Sequence, residues 1–475
     1  MVMGDMQMKV DLLVVGAGPG GYAAAFRAAD LGMDVALVDP REQPGGVCLH
    51  EGCIPSKTYL YLAELIEDAK KVQQMGVHFR DPEIDIERIR SWKKQVIDTM
   101  AEGLVSLNER RGIQYLKASA HFEDSNTARL KGGEISRIQF KQAIIATGSQ
   151  PVAFPGSSFA ENSRIMSSRE ALALSDIPEK LLVIGGGYVG LELGYVYSAL
   201  GSKVHLVELE DHLLAGVDQD LVAPLKKRLQ TMFARIDLGT KISGLMEQDD
   251  AVEVQLENAE GTRSLTVDRV LVAMGRGPAG EDLGLEKLGV KTDGSGFIQV
   301  DQQQKTTAEN IFAVGDVCGK ILLAHTAIRQ GRVAAEAAAG LSSAYDIRAV
   351  PAVVYTDPQI AWCGLTEKEA ETENIAVKVL KYPWKYSGRA QSMGAGDGLS
   401  KILVDPGDGR ILGVGICGRD AEGLISEGVL AIEMGAVAED LALSLHPHPT
   451  LSESLGEAAE IFLDSPTHLL PTKRS

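Results

Sequence analysis

Two cysteines lie close together in the run GGVCLHEGCIPSK, residues 45–57. Four residues separate Cys48 from Cys53, a wider spacing than in thioredoxin-like sites, and no further Cys or His pair lies close enough in sequence to suggest zinc. The two cysteines are predicted to lie on a glycine-opened turn that leads into a helix from Pro55 to about Lys71. The free N–H groups of that helix would stabilise a thiolate at Cys53. Lys57, one turn later, adds a positive charge on the same face. These residues alone leave three alternatives open: a redox-active disulfide, a structural disulfide, or two thiols that never meet.

A second group of reactive side chains lies in the run HPHPTLSE, residues 446–453. His448 precedes Glu453 by five residues, on a turn that leads into a helix predicted from Ser452 to Phe462. A histidine held by a carboxylate has a fixed tautomer and a raised basicity, which suits an acid–base catalyst for thiols. His446 has no comparable partner in sequence. A histidine near a proline-rich turn is more often a surface or packing residue, so this alternative stays open.

The chain begins with a segment of the kind that binds a dinucleotide. An apolar run, Val10 to Val15, is followed by the glycines of the motif G-x-G-x-x-G at Gly16, Gly18 and Gly21 and then by an Ala-rich helix. A second strand ends in Asp39. The glycines allow a tight turn and a close approach of the backbone to a pyrophosphate, which the helix N-terminus attracts.

The same arrangement recurs in the middle of the chain. A strand ends at Ile184, the motif glycines are Gly185, Gly187 and Gly190, and a following strand ends near Glu208. In both copies the acidic residue follows the first glycine by 23 positions. A carboxylate there accepts hydrogen bonds from an unmodified ribose and repels a 2′-phosphate, and no Arg follows Glu208 closely, so the second site favours NAD over NADP. Two matched copies are much stronger evidence than one.

Composition bounds the class of protein. The 475 residues are too many for one core and predict two to four domains. A net charge of −18 without a basic run argues against nucleic acid or an anionic membrane as partner. No segment approaches the length of a membrane-spanning helix, and the N-terminal residues show neither a secretory signal nor an Arg-rich transit sequence. Five cysteines, three of which are scattered (Cys318, Cys363 and Cys417), do not form a secreted disulfide framework, so a cytoplasmic location is expected.

The order of the motifs resembles that of the pyridine nucleotide–disulfide oxidoreductases. The segments that carry the resemblance are GGVCLHEGCIPSK, the two glycine motifs, AIIATGS, IFAVGD, VVYTDPQIAWCGLTEKEA and AIEMGAVAEDLALSLHPHPTLSES, and they span essentially the whole chain. Within that family the chain is most similar to the dihydrolipoamide dehydrogenases, flavoproteins of the 2-oxoacid dehydrogenase complexes and the glycine cleavage system.

The resemblance implies a fold and a division into domains. The fold would be α/β, with two Rossmann-like dinucleotide-binding domains and a C-terminal α+β dimerisation domain. The first domain, 1–152, would bind FAD and be completed by a central segment, 276–348, in which the run IFAVGD predicts a strand from Ile311 to Asp316. The second, 153–275, would bind NAD, and the third, 349–475, would form the interface of a homodimer.

The resemblance also implies a role for each matching residue. Cys48 and Cys53 would form the redox-active disulfide, and Lys57 would pair with Glu192 near the reactive flavin nitrogen. His448, oriented by Glu453, would be the acid–base catalyst for the disulfide of the opposite subunit. The residues that would bind FAD are Gly16, Gly18, Gly21, Asp39, Lys57, Gly148, Asp316, Ala324 and His325. Those that would bind NAD are Gly185, Gly187, Gly190, Glu208 and Gly275. No metal is implied.

The implied activity is the oxidation of dihydrolipoamide carried on lipoyl domains, with electrons passing through the disulfide and FAD to NAD⁺. Four features depart from the commonest family pattern: Asp39 in place of Glu, Pro447 in place of Ala, Thr326 in place of Lys, and Tyr188 inside the second glycine motif. The tyrosine favours the alternative of a glutathione-reductase-like enzyme, whereas Glu208 argues against it. A scaffold subunit with secondary redox activity is a further alternative. The chain lacks the C-terminal thiol pair of mercuric reductases, and its two redox cysteines argue against a soluble transhydrogenase.

Overall fold

The computed structural model describes residues 7–280, 282–319 and 321–470. Residues 1–6, in the N-terminal stretch for which no secretory signal is predicted, lie outside these ranges. Residues 471–475, at the end of the last predicted domain, do so as well. Within the described part of the chain, no helix combines the length and the apolar character needed to cross a membrane.

The first glycine motif lies in a sheet built largely from the N-terminal part of the chain. In chain order its elements and their neighbours are β1 (Gln7–Val15), α1 (Pro19–Asp30), β2 (Val35–Asp39), α2 (Gly46–Glu51), α3 (Cys53–Lys71), α4 (Ile86–Arg110), β3 (Gln114–Lys117), β4 (Ser119–Asp124), β5 (Thr127–Lys131), β6 (Arg137–Ile145) and β7 (Ser149–Pro151). The strand order is β3-β2-β1-β6-β5-β4, and the first four of these strands are parallel. Parallel strands covered by helices on both faces are buried throughout, which explains the apolar run in β1.

The second glycine motif lies in a separate parallel sheet. The elements of this region are β8 (Ile165–Met166), α5 (Ser168–Ala173), β9 (Lys180–Ile184), α6 (Tyr188–Ala199), β10 (Lys203–Val207), α7 (Gln219–Met232), β11 (Arg235–Asp237), β12 (Lys241–Glu247), β13 (Val252–Asn258), β14 (Gly261–Val267), β15 (Arg269–Val272) and β16 (Arg276–Pro278). The strand order is β11-β10-β9-β15-β8, while β12, β13 and β14 form an antiparallel sheet of their own. Strand β16 pairs with β7 and so connects the two regions.

A later segment then returns to the first sheet. Its elements are α8 (Leu285–Leu288), β17 (Ile311–Ala313) and α9 (Ala324–Ala338), and β17 pairs in parallel with β6. The predicted strand Ile311–Asp316 therefore ends three residues early, because Gly315 adopts a left-handed conformation and opens a 3₁₀ turn that contains Asp316. Helices α1 and α9 pack so closely that a Cβ at Gly331 would overlap the carbonyl oxygen of Gly20.

The C-terminal part of the chain is an antiparallel sheet with helices. Its elements are β18 (Ala352–Val354), β19 (Gln359–Gly364), α10 (Glu367–Glu373), β20 (Lys378–Pro383), α11 (Gly388–Ser392), β21 (Leu399–Val404), β22 (Ile411–Gly418), α12 (Ala421–Met434), α13 (Ala438–Leu443) and α14 (Glu453–Glu460). The strand order is β18-β19-β22-β21-β20. The predicted fold class, with two Rossmann-like sheets followed by an α+β part, is confirmed. The domain boundaries at 152, 275 and 348 stay predictions.

One buried cation joins the second and last of these regions. Lys401 on β21 is 1% exposed, and its Nζ lies 2.7 Å from Asp218, 2.7 Å from Asp220 and 2.8 Å from Glu367. Asp218 and Asp220 begin α7, whereas Glu367 begins α10. A buried charge is tolerated when its partners surround it in this way.

Candidate active site

One cavity collects most of the residues that the motifs single out. It is bounded by the first glycine motif, both cysteines of residues 45–57, the start of α6 and the 3₁₀ turn after β17. Predicted site residues that line it are Gly16, Gly18, Asp39, Cys48, Cys53, Lys57, Gly148, Glu192, Asp316 and Ala324.

The two cysteines are brought together by a sharp junction between two helices. Cys48 lies in α2, not on the turn that the sequence predicts, and α3 begins at Cys53, two residues before its predicted start. Gly52 separates the helices, and a Cβ there would lie 2.9 Å from the carbonyl oxygen of Val47 and 3.3 Å from the Cα of Cys48. The absence of a side chain at Gly52 therefore lets α2 and α3 approach closely. Both thiols are reduced and partly buried.

The two thiols differ in acidity because one donates a hydrogen bond to the other. The hydrogen bond from Cys48, together with the charge of Lys57, lowers the pKa of Cys53 to about 7 although burial acts in the opposite sense. The same hydrogen bond, followed by burial, raises the pKa of Cys48 far above its ordinary value. The reduced pair therefore carries its negative charge on Cys53, as a helix N-terminus and a nearby cation favour.

Lys57 contacts groups from two other regions of the chain. Its Nζ donates to Oε2 of Glu192 on α6 at 2.9 Å. The other carboxylate oxygen, Oε1, accepts from the backbone N–H of Tyr355 at 3.0 Å. The Lys57 ammonium also lies 4.3 Å from the centroid of the Tyr355 ring. The predicted ion pair is thus present in the structure, together with a tyrosine that sequence reasoning missed.

The first glycine motif has the geometry of an anion-binding turn. A Cβ at Gly16 would overlap the carbonyl oxygen of Ala146, and one at Gly21 would overlap that of Gly16. At Gly18 a Cβ would project into the cavity, 3.8 Å from the Cα of Gly46. The turn therefore forms a concave site at the N-terminus of α1, which any side chain would partly fill.

The first and last glycines of the second motif have nearly the same close backbone contacts as those of the first motif. A Cβ at Gly185 would overlap the carbonyl oxygen of Ala273, and one at Gly190 would overlap that of Gly185. At Gly187 a Cβ would meet no atom within 4 Å, so the turn opens onto free space. That space, at the start of α6, is where the backbone can approach a pyrophosphate.

The acidic residues of the two motifs also match. Asp39 accepts from the backbone N–H of Ala17 at 2.8 Å and from that of Arg41 at 2.9 Å. Glu208 accepts from Gly186 at 2.5 Å and from Glu210 at 2.8 Å. Each carboxylate is therefore fixed beside its glycine turn, at the position where a ribose would lie.

Asp316 is held by two residues that sequence reasoning missed. The hydroxyl of Ser149 donates to Asp316 at 2.6 Å, and Arg276 donates to that hydroxyl and to the Ser149 carbonyl oxygen, both at 2.7 Å. Ser149 and Arg276 both line the cavity. Their positions at the ends of the runs AIIATGS and VLVAMGR, directly after Gly148 and Gly275, were a signal that could have identified them.

Three further predicted residues take different positions. Ala324 lines the cavity, whereas His325 is not among its described lining residues. Burial lowers the pKa of His325, against a hydrogen bond with the backbone of Pro351. Gly275 has a left-handed φ of 124° and accepts from the N–H of Val152 at 3.1 Å, which places it at the junction of β15 and β16.

His448 forms its predicted pair but lies away from the cavity. Its Nδ1 is 2.8 Å from Oε1 of Glu453, and its side chain is 75% exposed. The other oxygen of Glu453 accepts from the backbone N–H of Thr450 at 2.7 Å. Burial raises the pKa of Glu453, but the hydrogen bonds from Thr450 and His448 outweigh it and leave that pKa below its usual value. His448 is not among the described residues that line the cavity.

His446 has no partner nearby in sequence, as expected, but the fold gives it one from a distant helix. Its Nε2 lies 2.8 Å from Oε1 of Glu427 on α12, 19 residues earlier in the chain. The side chain of His446 is 12% exposed, and a Cβ at Gly456 would lie 3.1 Å from its Nδ1. The partner was missed because a helix and a turn intervene, so proximity in sequence gave no indication of it.

The residues present fit the two cofactors that the family resemblance implies. Each glycine turn leaves room for a pyrophosphate at a helix N-terminus, and each has a fixed carboxylate for a ribose. The first turn and the thiols line one continuous cavity, so an extended dinucleotide bound there would reach Cys53. The chemistry of these donors matches FAD at the first turn and NAD at the second.

Comparison with known proteins gives the same family over most of the chain. Residues 10–331 match the pyridine nucleotide-disulphide oxidoreductase family, and residues 350–459 match the dimerisation domain of that family.

Similar proteins extend over the full length of the chain. A dihydrolipoyl dehydrogenase of Buchnera aphidicola is 42% identical, with 99% of both chains covered. One from Haemophilus influenzae is 42% identical and covers 98% of this chain and 97% of its own. One from Geobacillus stearothermophilus is also 42% identical, over 99% of this chain and 100% of its own.

Solved structures show the same architecture. LpdA from Mycobacterium tuberculosis has a TM-score of 0.87 and 26% identity, covering 95% of this chain and 99% of that one. The HOCl-induced flavoprotein disulfide reductase RclA from Escherichia coli has a TM-score of 0.84 and 26% identity, with the same coverage.

Proposed function

The chain belongs to the pyridine nucleotide–disulphide oxidoreductase family, and we propose that it is the enzyme that oxidises dihydrolipoyl groups and reduces NAD⁺. The observation that carries the proposal is the placement of Cys48, Cys53 and Lys57 in one cavity with the first glycine turn. Relatives named dihydrolipoyl dehydrogenase, 42% identical over nearly the full length, point to the same substrate. Glu208 beside the second turn argues for NAD and against the glutathione-reductase-like alternative.

The cofactors would be held by the two glycine turns. Asp39 would accept from the adenosine ribose of FAD, and Asp316, fixed by Ser149 and Arg276, would accept from its ribityl chain. Glu208 would do the same for the ribose of NAD. When bound, FAD supplies an acceptor for the electrons of the dithiol and a donor of hydride to NAD⁺.

The protein's own side chains carry the thiol chemistry. In the oxidised enzyme Cys48 and Cys53 form a disulfide, and His448 takes a proton from one thiol of the dihydrolipoyl group. The resulting thiolate attacks Sγ of Cys48, and Cys53 leaves as a thiolate. The second substrate thiol then attacks the substrate sulfur of the mixed disulfide, and its proton passes to Cys48, which leaves as a thiol. The product is the cyclic disulfide, and both cysteines are reduced.

The low pKa of Cys53 makes it the better leaving group of the pair. A thiol that is ionised near neutral pH leaves a disulfide faster than one with a raised pKa. The pKa of Cys53 is about 7, whereas the pKa of Cys48 is raised. This asymmetry directs the incoming thiolate to Cys48 and leaves the negative charge beside Lys57.

We place His448 in the active site of a second subunit. It is exposed and lies outside the cavity that contains the thiols of its own chain, so a homodimer would bring it to the partner's Cys48. Large apolar side chains exposed on α12 and in the segment after it support such an interface: Leu430, Met434, Leu443 and Leu445. The match to the family's dimerisation domain supports the same arrangement.

The lipoyl domains of 2-oxoacid dehydrogenase complexes or of the glycine cleavage system are the proposed macromolecular partners, because they carry dihydrolipoyl groups. A cytoplasmic location is part of the same proposal.

Purified enzyme should reduce NAD⁺ with dihydrolipoamide and should use NADP⁺ poorly. Glu208→Ala should weaken the rejection of NADP⁺ more than it weakens the use of NAD⁺, because the carboxylate repels the 2′-phosphate. Steady-state rates with both nucleotides measure this. A wild type that prefers NADP⁺, or that reduces glutathione disulfide faster than lipoamide, would overturn the proposal.

Subunit mixing tests the shared site. Cys48→Ser dimers and His448→Gln dimers should each be inactive with dihydrolipoamide, whereas heterodimers of the two should regain one working site. Heterodimers that form but stay inactive would contradict a site shared between subunits, without affecting the proposed substrate.

A further inference from the structure

Three regions of the chain meet at the Lys57 ammonium. Lys57 is on α3, Glu192 is on α6, and Tyr355 directly follows β18 in the C-terminal part of the chain. Each of the three contacts both others, through the 2.9 Å ion pair, the 3.0 Å hydrogen bond from the Tyr355 N–H, and the 4.3 Å approach of the ammonium to the ring.

The tyrosine restrains Lys57 in two ways. Its ring attracts the ammonium through its π face, an interaction that strengthens as the cation loses water. Its backbone N–H fixes one oxygen of Glu192, which is 3% exposed, so that the other oxygen points at Lys57. A lysine side chain free in solution populates many rotamers, and two contacts on different sides remove most of that freedom.

The position of the ammonium matters because Lys57 lines the same cavity as Cys48 and Cys53. Its charge lowers the pKa of Cys53, whereas the charge of Glu192 raises it. If the ammonium moved toward solvent, it would compensate less of the negative charge of Glu192 near Cys53. The Cys53 thiolate would then be harder to form.

We propose that Tyr355 is a positioning residue of the redox centre, whose ring holds the Lys57 ammonium toward Cys53 and whose backbone fixes Glu192. This deepens the proposed function, because it concerns the same thiols, but it can be measured without substrate or NAD. Tyr355 itself stays neutral, since burial raises its pKa to about 12.

The other ionisable groups around this centre are identified by their electrostatic interaction with Cys53, Lys57 or Cys48. They are Glu192, Glu422, Tyr22 and Tyr188. Burial raises the pKa of Tyr22, Tyr188 and Glu422. All four residues are unchanged in the variants below, so a difference between variants reports on position 355.

The test measures the ionisation of Cys53 in holoenzyme whose disulfide has been reduced with a phosphine. Iodoacetamide alkylation is followed from about pH 5 to about pH 10, and peptide fragmentation separates Cys48 from Cys53, because only a thiolate reacts. Tyr355→Leu should raise the pH midpoint for Cys53 by roughly half a unit, about a threefold loss of rate below the midpoint. Tyr355→Phe, which keeps the ring and the backbone N–H, should retain the wild-type midpoint.

A variant of Lys57 shows whether the Tyr355 ring acts through the lysine. Lys57→Met should itself raise the midpoint, and adding Tyr355→Leu to it should cause no further change. An unmoved midpoint in Tyr355→Leu, an equal shift in Tyr355→Phe, or a full additional shift without Lys57 would each overturn the proposal. Tyr355→Met, which also lacks a ring, replaces the leucine variant if thermal unfolding shows that the latter is not folded. If the wild type had no activity with dihydrolipoyl groups, the proposed function would be contradicted, but this measurement on Cys53 would still test the role of Tyr355.

Discussion

Two histidines two residues apart each form a hydrogen-bonded pair with a glutamate, but in opposite surroundings. His448 and His446 each lie 2.8 Å from a glutamate, but the His448 side chain is 75% exposed and that of His446 is 12% exposed. The partner of His448 is five residues away on the next helix, whereas the partner of His446 is on α12. The difference shows that a His–Glu pair by itself does not indicate catalysis.

Exposure separates the two roles because a proton must reach a reactant. The ring of His448 is open to solvent or to another subunit, and Glu453 fixes its Nδ1, so the rest of the ring is available for proton transfer. His446 is packed between α12 and α14, and its pair with Glu427 connects those elements. We infer that the first pair serves the reaction and the second serves the fold.

The largest effect is expected from His448→Gln. It should slow the reaction with dihydrolipoamide by roughly two or more orders of magnitude, the usual loss for an acid–base group. Oxidation of NADH by an artificial one-electron acceptor should survive, since that route bypasses the thiols. Steady-state assays with the two acceptors measure both rates.

His446→Gln is the matched control, and its dihydrolipoamide activity should stay close to that of the wild type. Equal losses in the two variants would mean that the assignment of the base to His448 is wrong.

An intermediate effect is expected from Glu453→Gln. The amide can still accept from the Thr450 N–H, but it no longer stabilises a protonated imidazole with a negative charge. Activity with dihydrolipoamide should fall by roughly tenfold, the factor that about 1.4 kcal/mol of lost stabilisation by a charged hydrogen-bond partner would give. Glu427→Gln, the same change at the other pair, should leave the rate unchanged. A loss in Glu427→Gln as large as that in Glu453→Gln would contradict the division of roles.

A smaller effect is expected on stability, and here the substitution of His446 should matter more than that of His448. His446→Gln should lower the free energy of unfolding by about 1 kcal/mol, because it breaks a partly buried hydrogen bond to a charged group. His448→Gln should change it little, since that side chain is exposed. Urea unfolding of both variants measures the difference, and the comparison fails if His448→Gln proves the less stable of the two.

The smallest effect concerns acid stability. The folded-state pKa of Glu453 lies below its ordinary value of 4.5, so its ionised form stabilises the fold above about pH 4.5. That contribution is lost as the pH falls through the folded-state pKa. Wild type should therefore be slightly more stable than Glu453→Gln at about pH 6, and the difference should shrink toward about pH 3. A stability difference between the two proteins that grows as the pH falls would contradict this prediction.

Much of the site could be predicted because its residues are close in sequence. The two glycine motifs, their acidic residues and the pair Cys48–Cys53 each lie within one local unit, and local units follow the backbone rules of turns and helix starts. Glu453 was found as the partner of His448 for the same reason. The family resemblance added Glu192, Asp316 and the region around Ala324, which no local pattern connects to the thiols.

What could not be predicted are the contacts between elements far apart in the chain. Arg276 reaches Ser149 across 127 positions, and Tyr355 reaches Glu192 across 163. The partner of His446 was missed because α12 and the turn that carries His446 meet only in the folded C-terminal part. The strand predicted to reach Asp316 ended early for a local reason, the left-handed conformation of Gly315.

The sequence by itself determined the chemistry that is available: two thiols at a helix start, two dinucleotide turns with acidic strand ends, and a histidine with a carboxylate. Residue type and short spacing are enough for that, because turns, helix starts and neighbouring side chains depend on local geometry. The tertiary structure decided how strongly the acidities of the two thiols differ, which histidine is exposed, and which groups surround Lys57. Those properties depend on burial and on charges from three regions of the chain, and only packing brings those regions together.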